Sequence, residues 1–179
     1  MNSDVFSFLA SLSPIYEKIT ALIIQLPPSL SFEEARPRLE ELFDMLPDDF
    51  VYPIEGRHKS WFSYDAITYL KQKKHCLVWN EVAGVNNPMP ITSDYLYVRM
   101  IGDRSIKDSE FGRVVKNKET QIKEWAKKLQ EIKDVPLVMV MANNHFEGFG
   151  PATANSLRMN LGMRELIWDE KKQKTLGSF

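Results

Sequence analysis

The chain has 179 residues, 44% of them apolar and 26% charged, with a formal net charge of −1. That mixture fits one globular domain with a sizeable core and excludes a disordered or fibrous chain. The near-zero charge gives no global pull toward nucleic acid or an anionic membrane. The single cysteine, Cys76, excludes an intrachain disulfide, and no apolar run reaches the roughly 18 residues of a membrane span.

Taken in order, residues 4–18 place Val5, Phe8, Leu9, Leu12 and Ile15 on one helical face. A strand over 20–26 (TALIIQL) is stopped by Pro27 and Pro28, with Gln25 the one polar residue near its end. Ser31 followed by Glu34 predicts a capped helix whose stripe is Leu39, Leu42, Phe43 and Leu46. Pro37 is tolerable there only in the first turn. A strand over 51–55 runs from apolar Val51, Tyr52 and Ile54 into charged Glu55, Arg57 and His58. Ser63 caps a short helix carrying Ala66, Ile67 and Leu70 and ending in lysines.

Residues 75–80 (HCLVWN) read as another strand and 81–90 as a loop. Residues 94–101 alternate cleanly, with Leu96, Val98 and Met100 on one side and Tyr95, Tyr97 and Arg99 on the other. The strongest helical pattern spans 117–133, through Ile122, Trp125, Ala126, Leu129 and Ile132. The continuously apolar 135–142 (VPLVMVMA) predicts a strand buried on both faces. It leads into Asn143, Asn144 and His145, a last helix over 151–161, and a polar tail frayed over 170–179. Strand and helix alternate five times without a hairpin signal. This predicts a parallel α/β fold in one domain, 1–179. No strand is followed by the glycine-rich dinucleotide turn or the phosphate-loop lysine, so no nucleotide cofactor is expected.

Four segments, LIIQLPPSLSF, IEGRHKSWF, TSDYLYVRMIGDR and the final strand into NNHFEGFGPATA, resemble in that order the domain-of-unknown-function 72 family. The commoner family form of the second reads glutamate, aromatic, arginine, histidine, proline, serine, tryptophan. Gly56 therefore replaces an aromatic and Lys59 a proline, while Asn80 stands where aspartate is usual. The resemblance implies a (β/α)8 TIM-like barrel from which the first three units are absent. Five strands cannot close such a barrel, since strand number, tilt and stagger are fixed together. The missing wall would then come from another polypeptide, from a second copy, or from the rest of a longer protein.

In a barrel, residues at C-terminal strand ends line the active face. The strand parities put Tyr97 and Arg99 inward with Glu55, on strands separated by one, which predicts a Glu55–Arg99 ion pair. Arg57, with Arg99 and Arg104, would form a positive mouth for a small anion or a nucleic-acid backbone, or else make surface ion pairs with Asp94, Asp103 or Asp108. Glu55, His58 and His145 are the candidate acid–base groups, although a lone histidine more often holds a loop. Asn80, Asn143 and Asn144 offer amides, and Trp61, with Phe62 and Phe146, offers a stacking ring or a core contact. Glu55, His58, His145 and Glu147 lack any recognisable metal-ligand spacing, so no metal is expected. Three readings follow: an enzyme on a small anionic or phosphorylated substrate, a non-catalytic nucleic-acid or anion binder, and a truncated barrel without activity of its own. The mixed, acidic start carries no signal-peptide pattern and gives a cytoplasmic expectation.

Overall fold

The computed structural model describes residues 2–81, 88–102 and 104–167. The predicted loop thus falls partly, and the predicted tail wholly, outside the described residues, as does Asp103. The chain forms two compact units, one of residues 1–100 with 134–141 and the other of residues 101–133 with 142–179.

The first unit opens with α1 (Asn2–Ser11) and a 3-10 helix (Ser13–Lys18) with Pro14 in its first turn. Helix α2 (Phe32–Phe43) begins with the predicted capping box. The Ser31 hydroxyl accepts from the Glu34 N–H, and the Glu34 carboxylate accepts from the Ser31 N–H at 3.1 Å. The Ser31 hydroxyl, which donates to that carboxylate at 2.7 Å, and the Ser31 N–H together hold the Glu34 carboxyl below its usual range. Pro37 lies beyond the first turn, inside the helix. The helix gives up one backbone bond there, and the cap together with the burial of Phe32, Ala35 and Leu39 sustains it. Helix α3 (Tyr64–Lys73) is capped by the Ser63 side chain and ends on Lys74 in the left-handed conformation.

Among the described residues five strands follow chain order. β1 (Ile24–Gln25) and β2 (Ile54–Glu55) are parallel, with Gln25 opposite Glu55. β3 (Trp79–Asn80) and β4 (Tyr95–Met100) are parallel, with Asn80 opposite Arg99, and β5 (Leu137–Ala142) lies beside β4. Bridges at Ala21–Val51 and Ile54–Leu77 extend the first pair and join it to β3. The regular strands are therefore shorter than predicted at 20–26, 51–55 and 75–80, and only isolated bridges mark their N-terminal halves. In β4, Leu96, Val98 and Met100 are buried while Tyr95, Tyr97 and Arg99 stay partly open, the predicted division of faces.

The core beneath this sheet gathers Phe32, Ala35, Leu39, Ile54, Trp61, Ala66, Tyr69, Leu70 and Leu77. Phe32 meets Trp61 edge-on, with ring centroids 5.4 Å apart. His75 lies flat on Phe43 at 3.8 Å, and burial lowers its pKa from the ordinary 6.5. The unfolded chain therefore binds that proton more readily than the native one. Stability from this site is complete above about pH 6.5 and falls on acidification toward the lowered value. Replacing His75 by Phe should flatten that part of a stability–pH profile measured by urea titration.

Two expectations about apolar surface are corrected. β5 is not buried on both faces: Leu137 and Val138, which point to opposite sides, are 39% and 38% exposed, and Met141 is 53% exposed. Its apolar sequence reads as interior, but no described strand covers its outer edge. Along the N-terminal segment the predicted stripe is only half covered, for Phe8 and Ile15 remain 55% and 49% exposed.

The second unit contains a 3-10 helix (Asp108–Glu110), α4 (Glu119–Gln130), the short α5 (Asn144–Glu147) and α6 (Gly150–Asn160). Helix α4 buries Ile122, Trp125 and Ala126, as its periodicity predicts, and packs on α6.

Candidate functional site

Glu55 closes β2 and has no solvent exposure. A carboxylate in that position must be paired or neutralised, and here both oxygens are engaged. Oε1 accepts from Nε of Arg57 at 2.7 Å, and Oε2 is paired with Nη1 of Arg99. Arg99 Nη1 also donates to Oε1 of Gln25 at 2.9 Å. The Glu55–Arg99 pair joins β2 to β4 across β3, the relation that the strand parities predict. Gln25, Glu55, Asn80 and Arg99 thus stand at or next to the C-terminal ends of four successive strands.

The loop after β2 holds Arg57 in place. Its Ser60 hydroxyl accepts from the Phe32 N–H at 2.8 Å, serving the first amide of α2. That hydroxyl can then donate to Nδ1 of His58, 2.9 Å away, which also accepts from the Ser60 N–H. A neutral His58 in this arrangement carries its proton on Nε2. Trp61 donates from Nε1 to the Leu30 carbonyl at 3.1 Å. Ser60 and Trp61 therefore tie the loop to the start of α2.

Trp61 has no solvent exposure and belongs to the core, so it presents no stacking face. Its indole lies against Gly56, where an added Cβ would fall 2.2 Å from the ring. That contact leaves no room for a side chain at position 56 in this chain. Phe62 is partly buried against the same core, and Phe146 in the second unit is only 2% exposed. Arg57 and Arg99 keep 22% side-chain exposure each. Tyr97 is partly buried, which raises its pKa against the lowering pull of Arg99. It remains a protonated donor at neutral pH. Burial also pushes the Cys76 thiol up to about 11, well away from a nucleophilic thiolate.

Four predicted residues lie in the second unit. Arg104 is exposed, with φ of 58°. Asn143 caps α5 by accepting from the His145 N–H at 2.9 Å, and Asn144 accepts from the Gly150 N–H at 2.8 Å. His145 is 3.2 Å from the Ile106 carbonyl through Nδ1 and edge-on to Phe111 at 4.9 Å. These contacts are loop-holding ones. Glu147, also buried, accepts from the Thr153 hydroxyl at 2.8 Å and the Lys118 N–H at 3.2 Å, at the start of α4.

Sequence reasoning did not include Gln25 in the site, although a polar residue at the end of an apolar strand, just before two prolines, was the available signal. Two cavities lie apart from the arginines. One of about 310 Å³ is lined by α1, β1 and α2 residues such as Phe8, Leu9, Ile24 and Leu42. The other, about 350 Å³, includes Glu40, Lys73 and His75. Among the described residues no His, Cys, Asp or Glu cluster could hold a metal ion. None of the described helices is long and apolar enough to cross a membrane.

Parallel strands in chain order, with interspersed helices, define an α/β protein, and ionisable residues gather at the ends of its strands. The chain belongs to the family described as "Protein of unknown function DUF72", whose model matches residues 2–176. A DUF72 family protein from Enterococcus faecalis V583 is similar in fold, with a TM-score of 0.68 at 19% identity over 94% of this chain and 67% of that one. One from Thermotoga maritima MSB8 gives 0.68 at 20% identity over 88% and 63%. The chain thus spans roughly two-thirds of these solved relatives. No curated protein matches it.

Proposed function

We propose that the face carrying Gln25, Glu55, Arg57, Asn80, Tyr97 and Arg99 binds a small anionic molecule, as the substrate-holding part of an enzyme site. The observation that carries this reading is a buried carboxylate gripping two partly exposed arginines at C-terminal strand ends. It fixes both guanidinium groups and leaves their remaining N–H groups for a ligand. Glu55 is a positioning residue in this arrangement rather than a general base, because both oxygens are already taken. His58, next to Arg57, serves better as a donor to the ligand, because its Nδ1 is held by Ser60 and a neutral ring then presents Nε2–H.

Isothermal titration and thermal melts in low-salt buffer with sulfate, lactate and benzoate test the binding step. At a hundredfold excess over Kd, a bound anion should stabilise the protein by about 2.7 kcal/mol, seen as a rise of several degrees in Tm. Arg57→Gln should lose that response. A wild-type protein indifferent to every anion defeats the reading.

We also infer that the five strands are an arc of a TIM-like barrel whose open side is covered by a second copy, by another polypeptide or by the rest of a longer protein. Support comes from the strand order, the exposed β5 and the unmatched third of the solved relatives. Sedimentation should show association that Val138→Lys weakens; a monomer unaffected by that change counts against it. The near-zero net charge disfavours the nucleic-acid reading.

A further inference from the structure

The charges at the strand ends can be counted. Arg57 and Arg99 contribute two positive charges and Glu55 one negative, while Gln25, Asn80 and Tyr97 contribute none, so these six side chains carry one net positive charge. Asn80 is central to that count. It is fully buried and opposite Arg99 in the β3–β4 register. Adjacent strands lie about 4.8 Å apart, so an acid at position 80 would sit beside Arg99 and cancel the surplus.

The hydrogen-bond geometry suits carboxylate oxygens, and the charge count limits how many are held. Arg57 engages Glu55 through Nε, which leaves its Nη1/Nη2 edge as a complete two-donor fork. Arg99 uses Nη1 for both Gln25 and Glu55, which leaves its Nε/Nη2 edge as another. Each fork matches the two oxygens of one carboxylate. A second ligand charge would find no counterion and would face Glu55 across a partly buried site.

We propose that this site selects a small singly charged carboxylate, and that Asn80 is the residue setting that preference by keeping its strand end uncharged. The proposal rests on the anion-binding reading above and names the ligand class for it. Titration calorimetry at low ionic strength with lactate and benzoate as monocarboxylates, and sulfate as the dianion, tests it in the wild type, Asn80→Asp and Gln25→Glu. The carboxylates should bind, sulfate should bind no tighter, and Asn80→Asp should weaken carboxylate binding by about tenfold or more. Gln25 is exposed, so Gln25→Glu adds the same charge beside Arg99 without burying it. It should weaken binding in the same direction, and it decides the matter should Asn80→Asp fail to fold by circular dichroism. Tighter sulfate binding, or folded variants that bind carboxylate as the wild type does, overturns the proposal while leaving anion binding standing. A wild type that binds none of the probes overturns both.

Discussion

Arg99→Met should destabilise the protein by about 3–5 kcal/mol, the cost of breaking a buried ion pair from one side. Glu55 has no exposure, and in this variant Oε2 loses its guanidinium while remaining out of reach of water. Arg57 still holds Oε1, so the lower end of that range is the firmer expectation. Removing both charges together, as Glu55→Leu with Arg99→Met, should cost less than Arg99→Met alone, since an apolar pair leaves no stranded charge. Arg57 is partly exposed and can return to solvent in that background. Urea unfolding midpoints with unchanged slopes would report both results. A loss below about 1 kcal/mol in Arg99→Met would mean that the pair behaves as a surface contact.

The second large effect concerns Gly56 and Trp61. Trp61→Ala should cost about 3–5 kcal/mol, because a fully buried indole leaves a cavity among Phe32, Ile54 and Ala66. Gly56→Ala should cost about 1–3 kcal/mol for the opposite reason, overpacking against that ring. The added Cβ meets Cγ of Trp61 at 2.2 Å and Cβ at 2.6 Å, so the whole side chain would have to shift. The two losses should not add: in the double variant the alanine at 56 partly fills the space vacated by the indole. A double-mutant cycle on thermal melts measures this coupling, and strict additivity would refute the contact.

Much of the site was legible because a strand has a period of two. Alternation in 94–101 put Arg99 opposite the buried Leu96, Val98 and Met100 set, and the abrupt change at Ile54–Glu55 marked a strand end. Those two facts were enough for the ion pair. Trp61 was harder to place, because an aromatic next to charged residues reads equally well as a lip or as core. Only the backbone path over Gly56 and the Leu30 carbonyl decides it. β5 misled for a physical reason: an apolar run reports what a strand needs to have covered, not what covers it. The capping roles of Asn143 and Asn144 depend on which amide lies within reach, and sequence spacing does not encode that.

The Ser60 hydroxyl has a consequence for detecting occupancy. It accepts from the leading amide of α2 and lies within hydrogen-bond distance of His58, the neighbour of Arg57. A molecule that holds the His58 ring should therefore also steady the Phe32 amide through Ser60, in a helix that supplies no group to the arginine cluster. Slower deuterium uptake at that single backbone position would announce a bound molecule even where no reaction can be followed.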